Sequence, residues 1–153
     1  MKNQENQEIS VKISMEPPTS THQSNLRVLK SKTGQMFVGK MKNNKVSVWQ
    51  KEFGLKMSKF KPNTPISEPC MMHIRMCYSP PKYLLPKFNK CKTIVKDTRP
   101  DCDNVVKVIL DELTKQGFWV DDSLIWSLTI EKCWELTPSI YIKIIKSNEN
   151  TNM

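Results

Sequence analysis

Alternating apolar and polar side chains predict the strands of this chain. Residues 9–15 alternate in this way and end at Glu16-Pro17-Pro18, which is typical of a half-buried strand stopped by proline. Residues 71–78, which follow Pro69, form a second predicted strand. Two later segments, 124–130 and 140–144, carry apolar residues at every second position. We expect them to be strands that pair as a hairpin.

Apolar residues at helical spacing predict two main helices. The first is expected over residues 46–60, with one side formed by Val48, Trp49, Phe53, Leu55 or Lys56, and Phe60, and with a basic opposite side. The second is amphipathic and covers residues 103–116, with Val106, Ile109, Leu110 and Leu113 on one face. We expect Asp103 to cap this helix at its start and Gly117 to end it in a left-handed conformation.

The segments between these elements complete the predicted architecture. Residues 19–45 are expected to be a loop or loose hairpin, and the proline-containing, basic segment 79–100 is long enough to suggest a functional loop. The polar tails 1–8 and 147–153 are expected to be disordered, leaving one domain over residues 9–146. The fold class is therefore α/β (α+β), a single small domain with a mixed sheet, two main helices and the order β-α-β-α-β-β.

Charge is unevenly distributed along the chain. Lys and Arg number 24 against 15 for Asp and Glu, a net charge of +9. Basic residues dominate 27–61 and 82–99, whereas 101–135 is acidic. Such an excess favours a polyanionic partner such as DNA, although it also occurs where lysine merely maintains solubility. Within the second basic stretch we expect Lys90, Lys92, Lys96 and Arg99 to bind DNA.

The cysteine and histidine residues exclude two common classes of small domain. The five cysteines contain no Cys-x-x-Cys pair and the chain has only two histidines, which argues against both a zinc site and a disulfide framework. Because the sequence shows no positively charged start leading into an apolar run and no apolar stretch near membrane-spanning length, we expect neither a secretion signal nor a transmembrane helix. We therefore expect no membrane association, and reduced cysteines in the cytoplasm.

Two acidic pairs flank the second predicted helix. Asp101 and Asp103 lie at its start, with Lys107 one turn further along, and Asp121-Asp122 lie in the turn before the next strand. Each pair alone is more often a helix cap or a turn than a site. If the pairs converge, their all-oxygen ligation suits Mg²⁺, with Mn²⁺ as the alternative, and we expect the carboxyl groups to lie about 4 to 6 Å apart.

The residues around these pairs resemble the signature of RusA-type Holliday-junction resolvases. The resemblance is ordered and gapless, and its residues are Arg99-Pro100-Asp101-Cys102-Asp103-Asn104, Lys107, Leu110-Asp111-Glu112-Leu113, Gly117-Phe118-Trp119 and Asp121-Asp122-Ser123. It implies a small homodimeric nuclease that cuts four-way junctions symmetrically with magnesium. It also implies that Asp101, Asp103, Asp122 and Lys107 are catalytic. Cys102, at a position more often aliphatic, and the divergent region 20–60 depart from the family pattern.

These observations predict a magnesium-dependent endodeoxyribonuclease that resolves Holliday junctions in recombination and repair. Asp101, Asp103 and Asp122 are expected to hold the metal, with Asp121 as a further candidate ligand, and Lys107 to stabilise negative charge on the phosphate. One alternative is a nuclease for flaps or other branched DNA. The other is a non-catalytic DNA-binding protein on a decayed nuclease scaffold, against which the intact acidic set argues.

Overall fold

The computed structural model describes residues 8–21, 26–40 and 44–147. Seven strands and two α-helices follow one another along them. In chain order they are β1 Glu8–Ile13, β2 Leu26–Lys30, β3 Met36–Lys40, α1 Asn44–Met57, β4 Cys70–Tyr78, β5 Ile94–Val95, α2 Cys102–Gln116, β6 Ile125–Trp134 and β7 Ser139–Lys146. Short 3₁₀ helices cover Ser58–Phe60, Lys82–Asn89 and Asp122–Leu124. The predicted mixed α+β fold is confirmed, the loose hairpin offered for residues 19–45 is formed by β2 and β3, and the short β5 is an addition.

Five of the strands form one mixed sheet in the order β1-β7-β4-β6-β5, and β2 pairs only with β3. Strands β4 and β6 are parallel, whereas β7 is antiparallel to both β1 and β4. It follows that β1, β4 and β6 all run in the same direction. Their carboxyl ends therefore meet at one edge of the sheet, which is the edge where the chain enters α2.

Both helices pack on one face of this sheet. The core contains Phe53 and Met57 from α1, Ile109 and Leu113 from α2, and alternate residues of the four longer strands. Alternation places every second strand residue on this covered face, which explains the period-two pattern of the sequence. The residues between them, such as His73, Tyr141 and Lys143, lie on the face that no helix covers. There the His73 ring makes an edge-to-face contact with the Tyr141 ring and hydrogen-bonds to Glu131, and Lys143 forms an ion pair with Glu8.

The buried side of α1 differs from the predicted one. Val48, Leu55 and Phe60 were expected to pack inward, but they are 66%, 74% and 43% exposed. Phe53 is buried and Trp49 half-buried, as predicted, and the other buried positions are Val46, Gly54 and Met57. The difference arises because apolar residues occur on several sides of this helix, and only the packing partner decides which side is covered.

Two substitutions on α1 test this assignment of its buried side. Phe53 is fully buried, so Phe53→Ala should lower the free energy of unfolding by about 3 to 5 kcal/mol. Leu55 is two positions along and 74% exposed, so Leu55→Ala should change it by less than about 0.5 kcal/mol. Urea unfolding of both variants provides the comparison. An equal loss in the two variants would show that α1 packs by a different face.

Other predictions about the fold are corrected by the structure. The predicted hairpin of the last two strands is wrong, because β4 lies between β6 and β7 and pairs with both. The segment 79–100 is not structureless, since it contains a 3₁₀ helix and β5. Glu8, expected in the amino-terminal tail, is the first residue of β1. Tail residues 1–7 and 148–153 lie outside the described residues. No helix in the described ranges has the length and apolar character needed to span a bilayer.

Candidate active site

A cleft of about 770 Å³ opens at the edge where β1, β4 and β6 end. The segment after β1, the end of β4, the last residue of β6 and the start of α2 all contribute to its walls. Its lining residues are Glu16, Thr19, Ser20, Thr21, Tyr78, Ser79, Lys96, Arg99, Pro100, Asp101, Asn104 and Trp134. The cleft therefore brings the first residue of the Asp-x-Asp motif together with two of the basic residues predicted to bind DNA.

Asp101 occupies the N-cap position of α2, two residues before Asp103, which was predicted to cap this helix. Its backbone is extended, its carbonyl oxygen accepts a hydrogen bond from the Val105 amide at 3.1 Å, and its side chain makes no capping hydrogen bond. The prediction that Asp103 caps the helix is therefore wrong, since Asp103 is already in the first helical turn. The exposed Asp101 carboxylate keeps its oxygens available beside the cleft.

Asp103 and Lys107 lie on the outward face of α2. They are one helical turn apart and both are exposed. Neither belongs to the cleft lining, where Asn104 is the next α2 residue after Asp101. The Asp103 carboxylate and the Lys107 amine therefore face solvent at the same end of the helix as Asp101.

The two carboxylates of the second acidic pair have different surroundings. Asp121 precedes the short 3₁₀ helix, and its carboxylate accepts a hydrogen bond from the Ser123 amide at 2.8 Å. Hydrogen bonding by Ser123, through its side chain first and its backbone amide second, lowers the pKa of Asp121, which caps this short helix. Asp122 is exposed in the first turn of that 3₁₀ helix. Of the two, Asp122 is therefore the side chain better placed to bind a ligand.

A single chain does not bring Asp122 close to Asp101. Helix α2 has 15 residues and is about 22 Å long, and Asp101 and Asp122 lie beyond its opposite ends. The sheet register agrees, because Ile125, just after Asp122, pairs with Cys70, whereas Trp134, beside the cleft, pairs with Tyr78. The expectation that the carboxyl groups of Asp101 and Asp122 lie about 4 to 6 Å apart within one chain is therefore not met.

A different group of side chains has the spacing of metal ligands. Across the described ranges, Cys77, Cys133 and Glu135 are the ones whose ligand atoms lie within 4.8 Å of one another. The two Sγ atoms are 3.0 Å apart, and Glu135 accepts hydrogen bonds from Thr93 at 2.8 Å and Arg75 at 3.4 Å. Burial raises the pKa of the Cys77 thiol to about 12, so it is protonated at neutral pH. We interpret this group as a hydrogen-bonded cluster within the protein.

The four basic residues predicted to bind DNA have different surroundings. Lys90, Lys92 and Arg99 are exposed, and Arg99 lines the cleft. Lys96 is only 6% exposed, and its amine donates hydrogen bonds to the Thr98 hydroxyl at 2.6 Å and the Arg99 carbonyl at 2.7 Å. Burial, followed by the nearby charge of Lys132, lowers the pKa of Lys96. The expectation that Lys96 contacts DNA phosphates does not fit these interactions.

Sequence reasoning missed the residues that form the far wall of the cleft. Glu16 follows β1, and its carboxylate accepts hydrogen bonds from the amide and hydroxyl of Ser79, which follows β4. Tyr78 donates a hydrogen bond to the Pro18 carbonyl at 3.0 Å and joins the same two segments. Both strands are followed by a Pro-Pro pair in the sequence. That repeated ending indicated where each strand stops, but not that both stop at one edge.

Comparisons with known proteins agree with the sequence signature. Residues 16–145 match the family described as endodeoxyribonuclease RusA. This range covers the cleft, both α-helices and the sheet except β1 and the last residue of β7. A search of curated proteins gives no match.

Proposed function

Since the chain belongs to the RusA family of endodeoxyribonucleases, we propose that it is a magnesium-dependent nuclease that resolves four-way DNA junctions. The observation that carries this proposal is the placement of Asp101. Its carboxylate borders the cleft, forms no helix cap, and has Asp103 and Lys107 at the same end of α2. Its substrates would be branched intermediates of recombination and repair, and the free cysteines are compatible with action in the cytoplasm.

The donor set fits a hard divalent cation. Asp101, Asp103 and Asp122 supply only carboxylate oxygens, and all three are exposed. Oxygen ligation of this kind suits Mg²⁺ or Mn²⁺ and does not suit zinc, which prefers nitrogen and sulfur. Asp121 is a weaker candidate because it is held by Ser123. A bound cation would supply an activated water and neutralise a phosphate oxygen.

The chain's own residues would supply the other requirements of phosphodiester hydrolysis. Lys107 presents its amine on the same helix face as Asp103, where it would balance negative charge that builds up on the phosphate. Arg99, on the cleft wall, would hold a neighbouring phosphate of the same strand. The rigid position of α2 on the sheet would keep these groups in fixed relative positions.

We propose that two copies of the chain complete each metal site. Asp101 and Asp122 lie at opposite ends of α2, so a twofold axis that sets one copy's α2 start beside the other's 122 turn would create two identical sites. Each site would use Asp101 and Asp103 from one copy and Asp122 from the second. A homodimer also suits the substrate, because a four-way junction has near-twofold symmetry and needs two cuts.

Exposed lysines on the segment before β5 are proposed to bind the DNA backbone. The double substitution Lys90→Ala with Lys92→Ala should weaken binding to all DNA forms and flatten the plot of log K against log salt by about two units, one for each contact. The cleavage rate at saturating DNA should stay near that of the wild type. Gel-shift titrations at several salt concentrations measure the affinity for DNA and its salt dependence. An unchanged salt dependence would place the DNA on another surface.

Cleavage assays on DNA of defined shape test the proposed function. Purified protein should cut four-way junctions in Mg²⁺, leave linear duplex intact, and lose activity when EDTA removes the metal. Preferred cutting of flaps or three-way DNA would favour the alternative nuclease. Tight binding without any cleavage in Mg²⁺ or Mn²⁺ would instead indicate a DNA-binding protein on a nuclease scaffold.

A further inference from the structure

Two lysines hold the three residues that precede Asp101. The Lys132 amine donates hydrogen bonds to the carbonyls of Thr98 at 2.7 Å and Pro100 at 2.5 Å. The Lys96 amine donates to the Arg99 carbonyl between them and to the Thr98 hydroxyl. Three consecutive carbonyl oxygens are thus bound from one side by two ammonium groups. We call residues 98–100 the clamped loop.

The pairing of β5 with β6 places Lys96 and Lys132 next to the clamped loop. Strand β5 pairs with the end of β6, and the Lys96 amide donates to the Lys132 carbonyl at 3.1 Å. The Lys96 amine also lies 3.9 Å from the centre of the Trp134 ring and 5.2 Å from that of Tyr78. The Lys96 amine therefore has two hydrogen-bond acceptors and two aromatic rings around it.

The surroundings of the Lys96 amine disfavour its charged form. Burial and the neighbouring charge of Lys132 both disfavour the charged form of Lys96, as the lowered pKa shows. The hydrogen bonds to the clamped loop offset this cost only if the loop stays in place. Since these residues end directly at Asp101, the two charges stabilise the backbone from which that carboxylate projects.

We propose that Lys96 and Lys132 are positioning residues that fix the Asp101 carboxylate at the edge of the cleft by holding the clamped loop. This role rests on the proposed nuclease function. It explains why Lys96, in a basic segment, turns inward and leaves the DNA surface to its neighbours. The same hydrogen bonds link the end of β6 to the start of α2. These two elements make few other contacts with one another.

Removing each amine while keeping the side-chain stem tests the activity part. Lys96→Met and Lys132→Met should lower the cleavage rate at saturating four-way DNA by about 10- to 100-fold, because a misplaced catalytic group costs this much. The dissociation constant for DNA should change by less than about threefold, since both amines already donate hydrogen bonds to the clamped loop and are not proposed to bind phosphate. The Mg²⁺ concentration for half-maximal rate should rise. Lys115→Met, at the exposed far end of α2, is the matched control and should cut normally.

Hydrogen exchange on the protein without metal or DNA tests the structural part. Because the Val105 amide is bonded to the Asp101 carbonyl, release of the clamped loop should speed its exchange in both lysine variants. The amide of Ile142, in the sheet core, should exchange as in the wild type and would report a general loss of folding. Lys132 is only half-buried, so its variant keeps the test available if Lys96→Met fails to fold.

The outcomes separate this proposal from the proposed function. A wild-type protein that cuts junctions, with lysine variants that cut at wild-type rates or leave Val105 exchange unchanged, would overturn the positioning role alone. A wild-type protein without nuclease activity would overturn the proposed function, and the positioning role with it. Slower cleavage with faster Val105 exchange and unchanged DNA affinity supports both.

Discussion

Replacing Asp101 or Asp103 by Asn is expected to slow DNA cleavage by about two to three orders of magnitude while DNA binding stays intact or tightens. Each change removes a metal ligand and so removes metal-assisted hydrolysis. It also removes a negative charge from a surface that faces a polyanion, which favours binding. Gel-shift affinity and single-turnover cleavage should be measured on the same four-way junction.

The neighbouring residue Asp111 provides the control for this loss. It is exposed two turns further along α2 and is not part of the proposed site, so Asp111→Asn should cut at nearly the wild-type rate. Both changes remove one carboxylate from the same helix, which separates ligand loss from a general change in charge. If Asp101→Asn cleaves DNA at the wild-type rate in Mg²⁺, Asp101 is not a catalytic metal ligand. The basis of the nuclease assignment would then be lost.

Mixed dimers of two inactive chains are expected to recover cleavage. Neither Asp101→Asn nor Asp122→Asn should cut alone, but a dimer with one copy of each has one site in which all three carboxylates remain. In a random mixture about half of the dimers are of this kind, so about a quarter of the wild-type sites should return. A cruciform plasmid would then be nicked rather than linearised, because each mixed dimer makes a single cut.

A second mixture supplies the matched control for the shared site. Asp101→Asn mixed with Asp103→Asn should stay inactive, because each of the two sites then lacks one of these ligands. Co-expression with two different tags isolates the mixed dimers in both experiments. Recovery in neither mixture, with mixed dimers present, would mean that each chain carries its own complete site and would contradict the arrangement across the dimer.

Local features of the fold were predictable because their causes are local. The periodicity of Val106, Ile109 and Leu113 defined α2, and Gly117 ends it at a φ of 80° as expected. Strand pairing was not predictable in this way. The link between β6 and β7 is short enough for a hairpin, yet β4 lies between them in the sheet. A period of two tells which face of a strand is buried but not which strand is its neighbour.

The sequence indicated which residues to consider for the candidate site but not how they are arranged in space. The distance between Asp101 and Asp122 depends on the direction of α2 relative to β6, because the chain moves away along the helix before the strand returns. Lys96 reads like any other basic residue in its segment. Its inward position follows from the pairing of β5 with β6 and from Trp134 and Tyr78, which are distant in sequence.

The position of β7 constrains the order in which the molecule can fold. Strand β1 has β7 as its neighbour in the sheet, although more than 120 residues separate their first positions in the chain. Until the ribosome has delivered the residues of β7, β1 has no partner and the middle of the sheet lacks a strand on one side. Such long-range pairing slows folding and prolongs exposure of unpaired edges. The cleft, one wall of which is the segment that follows β1, should therefore be among the last features to assemble during synthesis.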